Sequence, residues 1–499
     1  MSVPRPGRTV RPLRATALSV LALLALVAPA LLGPAPAAAQ GVRGSAATTF
    51  RYLTLRPIGQ DTVDRASVTE SDGVLTLDGQ PVHCISATEC LVYRPRDVAH
   101  AMVATQDISG TAWGLGVQGL SATFLLRGRA DAGGDVVWPM ADDAFDAILA
   151  YAQLQRSSYR LRAGRQRTLS GLGFSGFDGL DLLVEPFPGL RLQAYGGRSL
   201  ARGLNEPSHT ALQGVEDFVL DQNAYLVGGF AEIAPLAATT VAFRYQREIW
   251  ADRIGLVSER AAVDVRSALP GPFRMDGSLD YDVAFGRIGK AHLTVQSRLP
   301  GDWGWVEVTG RRYVPYFDLS TIWGFFSPTP YQETELRTTV LKLRPLTAWA
   351  SAAYRWYSDP EISVIGSPIG DASQRYTVGA RWASGAWQAT GEYRLETGFG
   401  AHLSSGDAQL RWSRGDRFGV RVRGTAFQQI EQFRVGENTV MGGGLGFDVT
   451  GPWGVNLRAG ADLYTQAFEN RTGPDWDQFR AYSVLRVPFG EDPGPRGQP

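Results

Sequence analysis

The sequence predicts an all-β chain, an antiparallel transmembrane barrel of about 20 strands within a range of roughly 18 to 22. Three observations predict it. The chain opens on an export signal, and the remainder holds no apolar run long enough for a membrane helix. From Thr111 onward, segments of roughly ten residues alternate apolar and polar side chains between turn residues.

The signal comes first. Arg5, Arg8, Arg11 and Arg14 form a basic start, Ala15 to Leu32 an apolar stretch, and Ala37-Ala38-Ala39 a small-residue cleavage site before Gln40. The stretch could almost serve as an anchor helix, but Pro29, Pro34 and Pro36 interrupt it. Residues 1–39 are therefore expected to be removed. A barrel with such a signal is expected in a bacterial outer membrane, with the outer-membrane lipid and the outer-membrane barrel assembly machinery as its partners.

Composition agrees. The chain has 58 Gly, 13 Trp, 17 Tyr and 22 Phe, a balance that suits curved strands and aromatic girdles at two membrane interfaces. The 49 Lys and Arg match 49 Asp and Glu, so the net charge is zero and nothing points to nucleic acid. No linker divides the chain after the N-terminal segment, which makes residues 111–489 one barrel rather than several soluble domains.

The N-terminal segment, 40–110, is less regular. Phe50 to Leu55 reads as a strand, and Val74–Leu77 with Val82–Ile85 as a small hairpin. The segment either adds a strand pair to the barrel or caps one mouth, and it is too short to plug the barrel of an energised transporter. Cys84 and Cys90 are the only cysteines; in an exported chain so close a pair reads as a disulfide. Zinc bound with His83 and Glu89 has the wrong ligand spacing, so no metal and no cofactor is expected. Gly114-Leu115-Gly116-Val117-Gln118-Gly119 matches a dinucleotide fingerprint. Leu120 to Arg129 continue it as strand rather than helix, so the glycines are read as easing a curved strand.

Within the barrel, Met275 to Phe285 shows the pattern well. Met275, Gly277, Leu279, Tyr281, Val283 and Phe285 share one face, while Asp276, Ser278, Asp280 and Asp282 share the other. A helix would scatter those aspartates around its circumference. The same alternation sets Val420 and Val422 against Arg421 and Arg423, and Leu457, Ala459 and Ala461 against Arg458 and Asp462. Trp387, Ala389, Tyr393 and Leu395 likewise oppose Gln388, Glu392, Arg394 and Glu396.

Short turns are expected near Gln155–Tyr159, Glu185–Gly189, Ala234–Ala237, Leu269–Pro272, Leu299–Trp303, Arg344–Leu346, Ser384–Ala386, Arg414–Asp416 and Gly451–Trp453. Between them fall longer connections, notably Arg198–Gln222, Arg312–Thr334, Ser358–Ser373 and Thr465–Asp477. Short turns on one side and long loops on the other match the periplasmic and exterior ends of bacterial barrels. Phe479 to Phe489 resembles the closing strand of outer-membrane proteins, although a tail, Gly490 to Pro499, comes after its last aromatic residue.

One stretch suggests more. Leu161-Arg162-Ala163-Gly164-Arg165-Gln166 reads as a glycine-bearing loop, and Phe177-Asp178-Gly179 opens the next strand. This resembles a hairpin of porin-like and alginate-export-like outer-membrane barrels. The resemblance implies a pore in which a loop folds towards the lumen, with Arg162, Arg165 and Gln166 near it and Asp178 fixing the loop. The plainer alternative is that Arg165 and Asp178 merely pair within the hairpin. Further pore-lining candidates are the charges on wet faces: Arg160, Arg191, Arg244, Asp280, Asp282, Glu392, Arg394, Arg421, Arg423 and Arg458.

An enzyme is not expected, because His209, His292 and His402 sit in no recognisable nucleophile pattern; His402 with Asp407 comes nearest. The expected function is passive diffusion of small hydrophilic solutes through a porin-like lumen. Two rivals are a polysaccharide or sugar export channel, which would line its lumen with one sign of charge, and a non-conducting structural or surface-binding barrel. A homo-oligomer is compatible with each.

Overall fold

An alternating strand has one apolar and one polar face, and a sheet of such strands can satisfy both by closing into a ring with water inside and lipid outside. The computed structural model describes residues 41–490 except 57, 72–73, 78–79, 135–143, 171, 201–223, 237, 252–254, 315–329, 358–371, 399–400, 433–437 and 469–475. The expected signal over 1–39, the tail after Gly490, most of each long connection, His209 and the side chain of His402 lie outside the described residues.

The first strand, β1 (Gly41–Leu55), is followed by five short ones: β2 (Ile58–Asp64), β3 (Thr69–Ser71), β4 (Val74–Leu77), β5 (Gln80–Cys84) and β6 (Glu89–Pro95). These five form their own sheet in the order β2-β6-β5-β4-β3. The Cys84–Cys90 disulfide joins directly opposed residues of β5 and β6. Cys90 and Val92 are fully buried there.

The wall continues with β7 (Ala99–Trp113), β8 (Leu120–Asp131), β9 (Ala144–Gln155), β10 (Tyr159–Ser170), β11 (Gly173–Phe187), β12 (Leu190–Ser199) and β13 (Ala224–Leu236). Next come β14 (Thr239–Trp250), β15 (Leu256–Ala268), β16 (Phe273–Asp282), β17 (Arg287–Arg298), β18 (Gly304–Tyr313), β19 (Tyr331–Val340) and β20 (Leu346–Tyr357). The last are β21 (Ala372–Ser384), β22 (Trp387–Gly398), β23 (Ala401–Arg414), β24 (Phe418–Gln432), β25 (Asn438–Thr450), β26 (Asn456–Phe468) and β27 (Trp476–Gly490).

β1 pairs with both β7 and β27, so the 22 strands close into one antiparallel barrel. The count is two above the central expectation of about 20. Strands spaced ~4.8 Å apart and tilted ~40° give a backbone diameter of roughly 40 Å.

One open alternative is decided and two expectations need correction. The N-terminal segment adds a strand pair to the wall, one of the two roles expected for it, so the wall begins at Gly41 with β1 and β7. The glycines at 114, 116 and 119 build the connection between β7 and β8, all three with positive φ, rather than easing a strand. Met275 to Phe285 also ends as a strand at Asp282. There the Asp282 carboxylate accepts the Phe285 N–H and turns the chain, taking Val283 and Phe285 out of the strand.

The long connections gather at one end as expected, although that end also carries short ones such as 251–255 and 283–286. At the end that holds residues 41 and 490 the connections are 114–119, 156–158, 188–189, 237–238, 269–272, 299–303, 341–345, 385–386, 415–417 and 451–455. The small sheet and the longest connections, 200–223, 314–330 and 358–371, all lie at the opposite end. Gly385, at φ +55, allows the two-residue turn between Ser384 and Trp387.

The faces are also sorted. On β24 to β26, Val422, Leu445 and Leu463 are at least half exposed, whereas Asp462 retains 8 % exposure. A soluble sandwich would reverse this, so the outer face is the lipid face. Near the short turns Trp387, Trp412 and Phe418 lie in ring contact on that outer face, and Tyr354 with Trp356 sit near the other end. These are the two girdles expected where a barrel meets its interfaces.

Candidate functional site: the inner wall

Cross-strand partners point to the same side of a sheet, so the register assigns every side chain to one face. Arg160, Arg162, Arg191, Arg244, Asp280, Asp282, Glu392, Arg394, Arg421, Arg423 and Arg458 take the face opposite the exposed apolar residues, as does Gln166. Arg165 and Asp178 do not. They are direct partners across β10 and β11, on the face of Leu161 and Leu180, and their side chains form a bidentate pair at 2.8 and 2.9 Å. The reason is local. Residues 161–166 are strand rather than loop, so strict alternation sends 162 inward and 165 outward.

Most inner charges are held by a neighbour of opposite sign. Arg244 meets Asp264 at 2.6 Å, Arg160 meets Asp181 at 3.4 Å, and Arg191 lies between Glu185 and Glu232. Arg162 donates to Gln153 at 2.7 Å and lies over the Tyr151 ring. Arg423 holds both oxygens of Asp462. Glu392 accepts from the Trp349 indole at 3.0 Å and stands 3.7 Å from Arg394. Such pairs leave little net charge but strong local fields in a water-filled lumen.

A group with an excess of positive charge lies near the short turns on β23 to β26. Arg411 and Arg421 are direct partners, Arg458 opposes Asp448, and Arg411 reaches Asp448 at 3.6 Å. Together with Gly446 they line a recess of about 110 Å³. Three guanidiniums thus line one recess with a single carboxylate, which Arg411 reaches. Arg421 also donates to Tyr482, while Arg458 has no hydrogen bond or ion pair among the described residues. Glycine at 444 and 446 keeps this part of the wall low, and the Arg423 and Arg421 side chains lie across it.

On the other side, the end of the β10–β11 hairpin leaves the wall. β10 pairs with β9 only from Arg160 to Arg165, whereas its pairing with β11 runs on to Ser170 and Gly173. Beyond that point the hairpin meets strands that are not its neighbours: Ser175 donates to Gln246 of β14, and Arg260 of β15 donates to the Leu172 carbonyl at 2.6 Å. Phe177, fully buried, stacks on Tyr195 at 5.5 Å. Gln166 is buried beside them and donates to the Gly179 carbonyl.

Two clusters were not apparent from sequence because they join distant strands. Near the end opposite the short turns, Glu333 is 2 % exposed and receives Arg311, Arg355 and Arg375 at 2.7 to 2.8 Å. Glu335 and Glu396 extend this network. Secondly, Ser278 lies 2.7 Å from His292 Nδ1, whose Nε2 is 3.1 Å from Asp276. Serine, histidine and aspartate therefore touch in the order of a hydrolase triad. No pair of backbone amides is open beside Ser278 to hold an oxyanion, because the β15–β16–β17 ladder uses them, and Asp276 also binds Arg266 at 3.1 Å. The three residues form a polar ladder in the wall.

No protein-family model matches the chain, and no curated protein matches it. Solved structures do. A BenF-like porin from Pseudomonas fluorescens Pf-5 is 8% identical with a TM-score of 0.41, over 90% of this chain and 99% of that one. The outer membrane protein opdK from Pseudomonas aeruginosa is 11% identical with a TM-score of 0.37, over 90% and 99%. OccK2 (OpdF) of the same organism is 9% identical with a TM-score of 0.41, over 90% and 98%. Similarity at this level carries no substrate or pore geometry from one barrel to another.

Proposed function

We propose that the chain is an outer-membrane channel through which small hydrophilic solutes diffuse passively, with a preference for anions. The observation that supports it most is the sorting of faces: charged residues line the interior of a closed ring roughly 40 Å across, and apolar residues coat its exterior. A ring of that width exceeds what inward side chains alone can fill. The inner wall carries both signs of charge, which an exporter lined with one sign does not need.

The anion preference follows from Arg411, Arg421 and Arg458 around a single Asp448. An anion moving along this wall exchanges hydration for guanidinium donors at successive positions, and it is released because no position encloses it. The test is the reversal potential of the purified mature chain across a planar bilayer in a potassium chloride gradient. The expected sign is that of chloride preference, reduced in the Arg421→Gln, Arg458→Gln double variant. Cation preference, or a potential unchanged by the double variant, contradicts the assignment.

A further inference from the structure

The geometry points to Arg260 as the positioning residue that holds the β10–β11 hairpin inside the barrel and thereby sets the width of the pore. This rests on the channel reading proposed for the ring. β11 and β14 are three strand spacings apart along the wall, about 14 Å at ~4.8 Å each, and β15 is one spacing further. No serine side chain spans that gap. The bond from Ser175 to Gln246, at 3.2 Å, therefore requires the hairpin to cross the lumen side of β12 and β13.

The crossing is built for close approach. Tyr195 of β12 lies flat over Gly228, where even a β-carbon would come within 2.4 Å of the ring. This lets its hydroxyl reach the same Gln246 oxygen at 3.2 Å. Phe177 then packs on Tyr195 and Leu226, which seals the hairpin against the wall. These contacts fix the base of the crossing, whereas its tip is held by charge. Arg260 pairs with the Asp280 carboxylate and directs another nitrogen to the Leu172 carbonyl at 2.6 Å. Leu172 is 3 % exposed, so this charge-assisted bond lies away from water and outweighs an ordinary surface contact. Asp282, the direct partner of Arg260, is buried beside it. The Asp280 carboxylate thus aims the guanidinium, and the hairpin hangs from it.

Arg260→Met removes the donors while keeping the length of the side chain. Ser175→Ala with Gln246→Leu removes the second tie and leaves Arg260 and Asp280 paired, which covers the case in which the first variant fails to fold. Folding is read from heat-dependent gel migration. Hydrogen exchange of the amides from Gly173 to Phe177 reports the hairpin, and single-channel conductance reports the pore. The expected result is exchange faster by about tenfold or more and conductance higher by about twofold in the folded variants. Exchange at the wild-type rate in both variants overturns the proposal. So does faster exchange with unchanged conductance, because the hairpin then does not set the pore. A folded wild-type barrel that conducts nothing overturns the channel reading and the pore-width claim with it, while exchange still decides whether Arg260 holds the hairpin.

Discussion

At the scale of single residues, the inner wall contains ion pairs of very unequal worth. Glu333 is buried under three guanidiniums, of which those of Arg355 and Arg375 are themselves largely covered. Removing the carboxylate strands buried positive charge, so Glu333→Ala is expected to destabilise the barrel by about 3 kcal/mol or more in urea-unfolding measurements from lipid vesicles. Arg266 and Asp276 form a pair of similar length on mostly exposed side chains, and Arg266→Ala is expected to change stability by less than about 0.5 kcal/mol. Equal effects from the two substitutions would contradict this account. Neither cluster is legible in the sequence, since Glu333, Arg311, Arg355 and Arg375 come from four different strands and meet only through the register. Arg165 and Asp178 teach the opposite lesson. Their outward placement follows from counting alternate residues from Leu161, but Gly164 suggests a loop and a loop suspends the count.

At the scale of elements, alternation is legible wherever the two faces differ strongly. β16, β22, β24 and β26 set aspartate, glutamate or arginine against leucine, valine and aromatic residues, and each is a strand with the expected faces. β1 is harder because Ser45, Ala46, Ala47, Thr48 and Thr49 give both faces small residues of similar polarity. Its place in the wall comes from pairing with β7 and β27, which sequence does not display. The lipid face makes its own prediction. Val422→Arg, on the outer face of β24 beyond the Phe418 ring, is expected to cost about 2 to 4 kcal/mol in the same unfolding measurement, whereas Gln409→Arg, on the inner face of β23, is expected to be tolerated. A reversed order of the two would invert the assignment of faces. The small sheet is a separate element. Its disulfide closes a short loop worth about 2 kcal/mol, so Cys84→Ser with Cys90→Ser is expected to loosen residues 58–95 in hydrogen exchange and leave the heat-dependent migration of the barrel unchanged.

At the scale of the whole molecule, the ring, its two girdles and its unequal ends all serve one separation, lipid outside from water inside. The strand count exceeds the sequence-based centre by two because the N-terminal segment contributes β1 and β7 to the wall and keeps only its middle for the small sheet. Within the ring the charges are arranged unevenly: a hairpin and paired ions occupy the side of β10 to β15, and an arginine-rich recess faces the lumen from β23 to β26. A solute would pass between them. Single-channel conductance of the folded mature chain in a planar bilayer tests this most directly. The expected result is stable steps that scale with salt concentration, as for an open aqueous pore; a folded barrel that inserts and passes no current would contradict it.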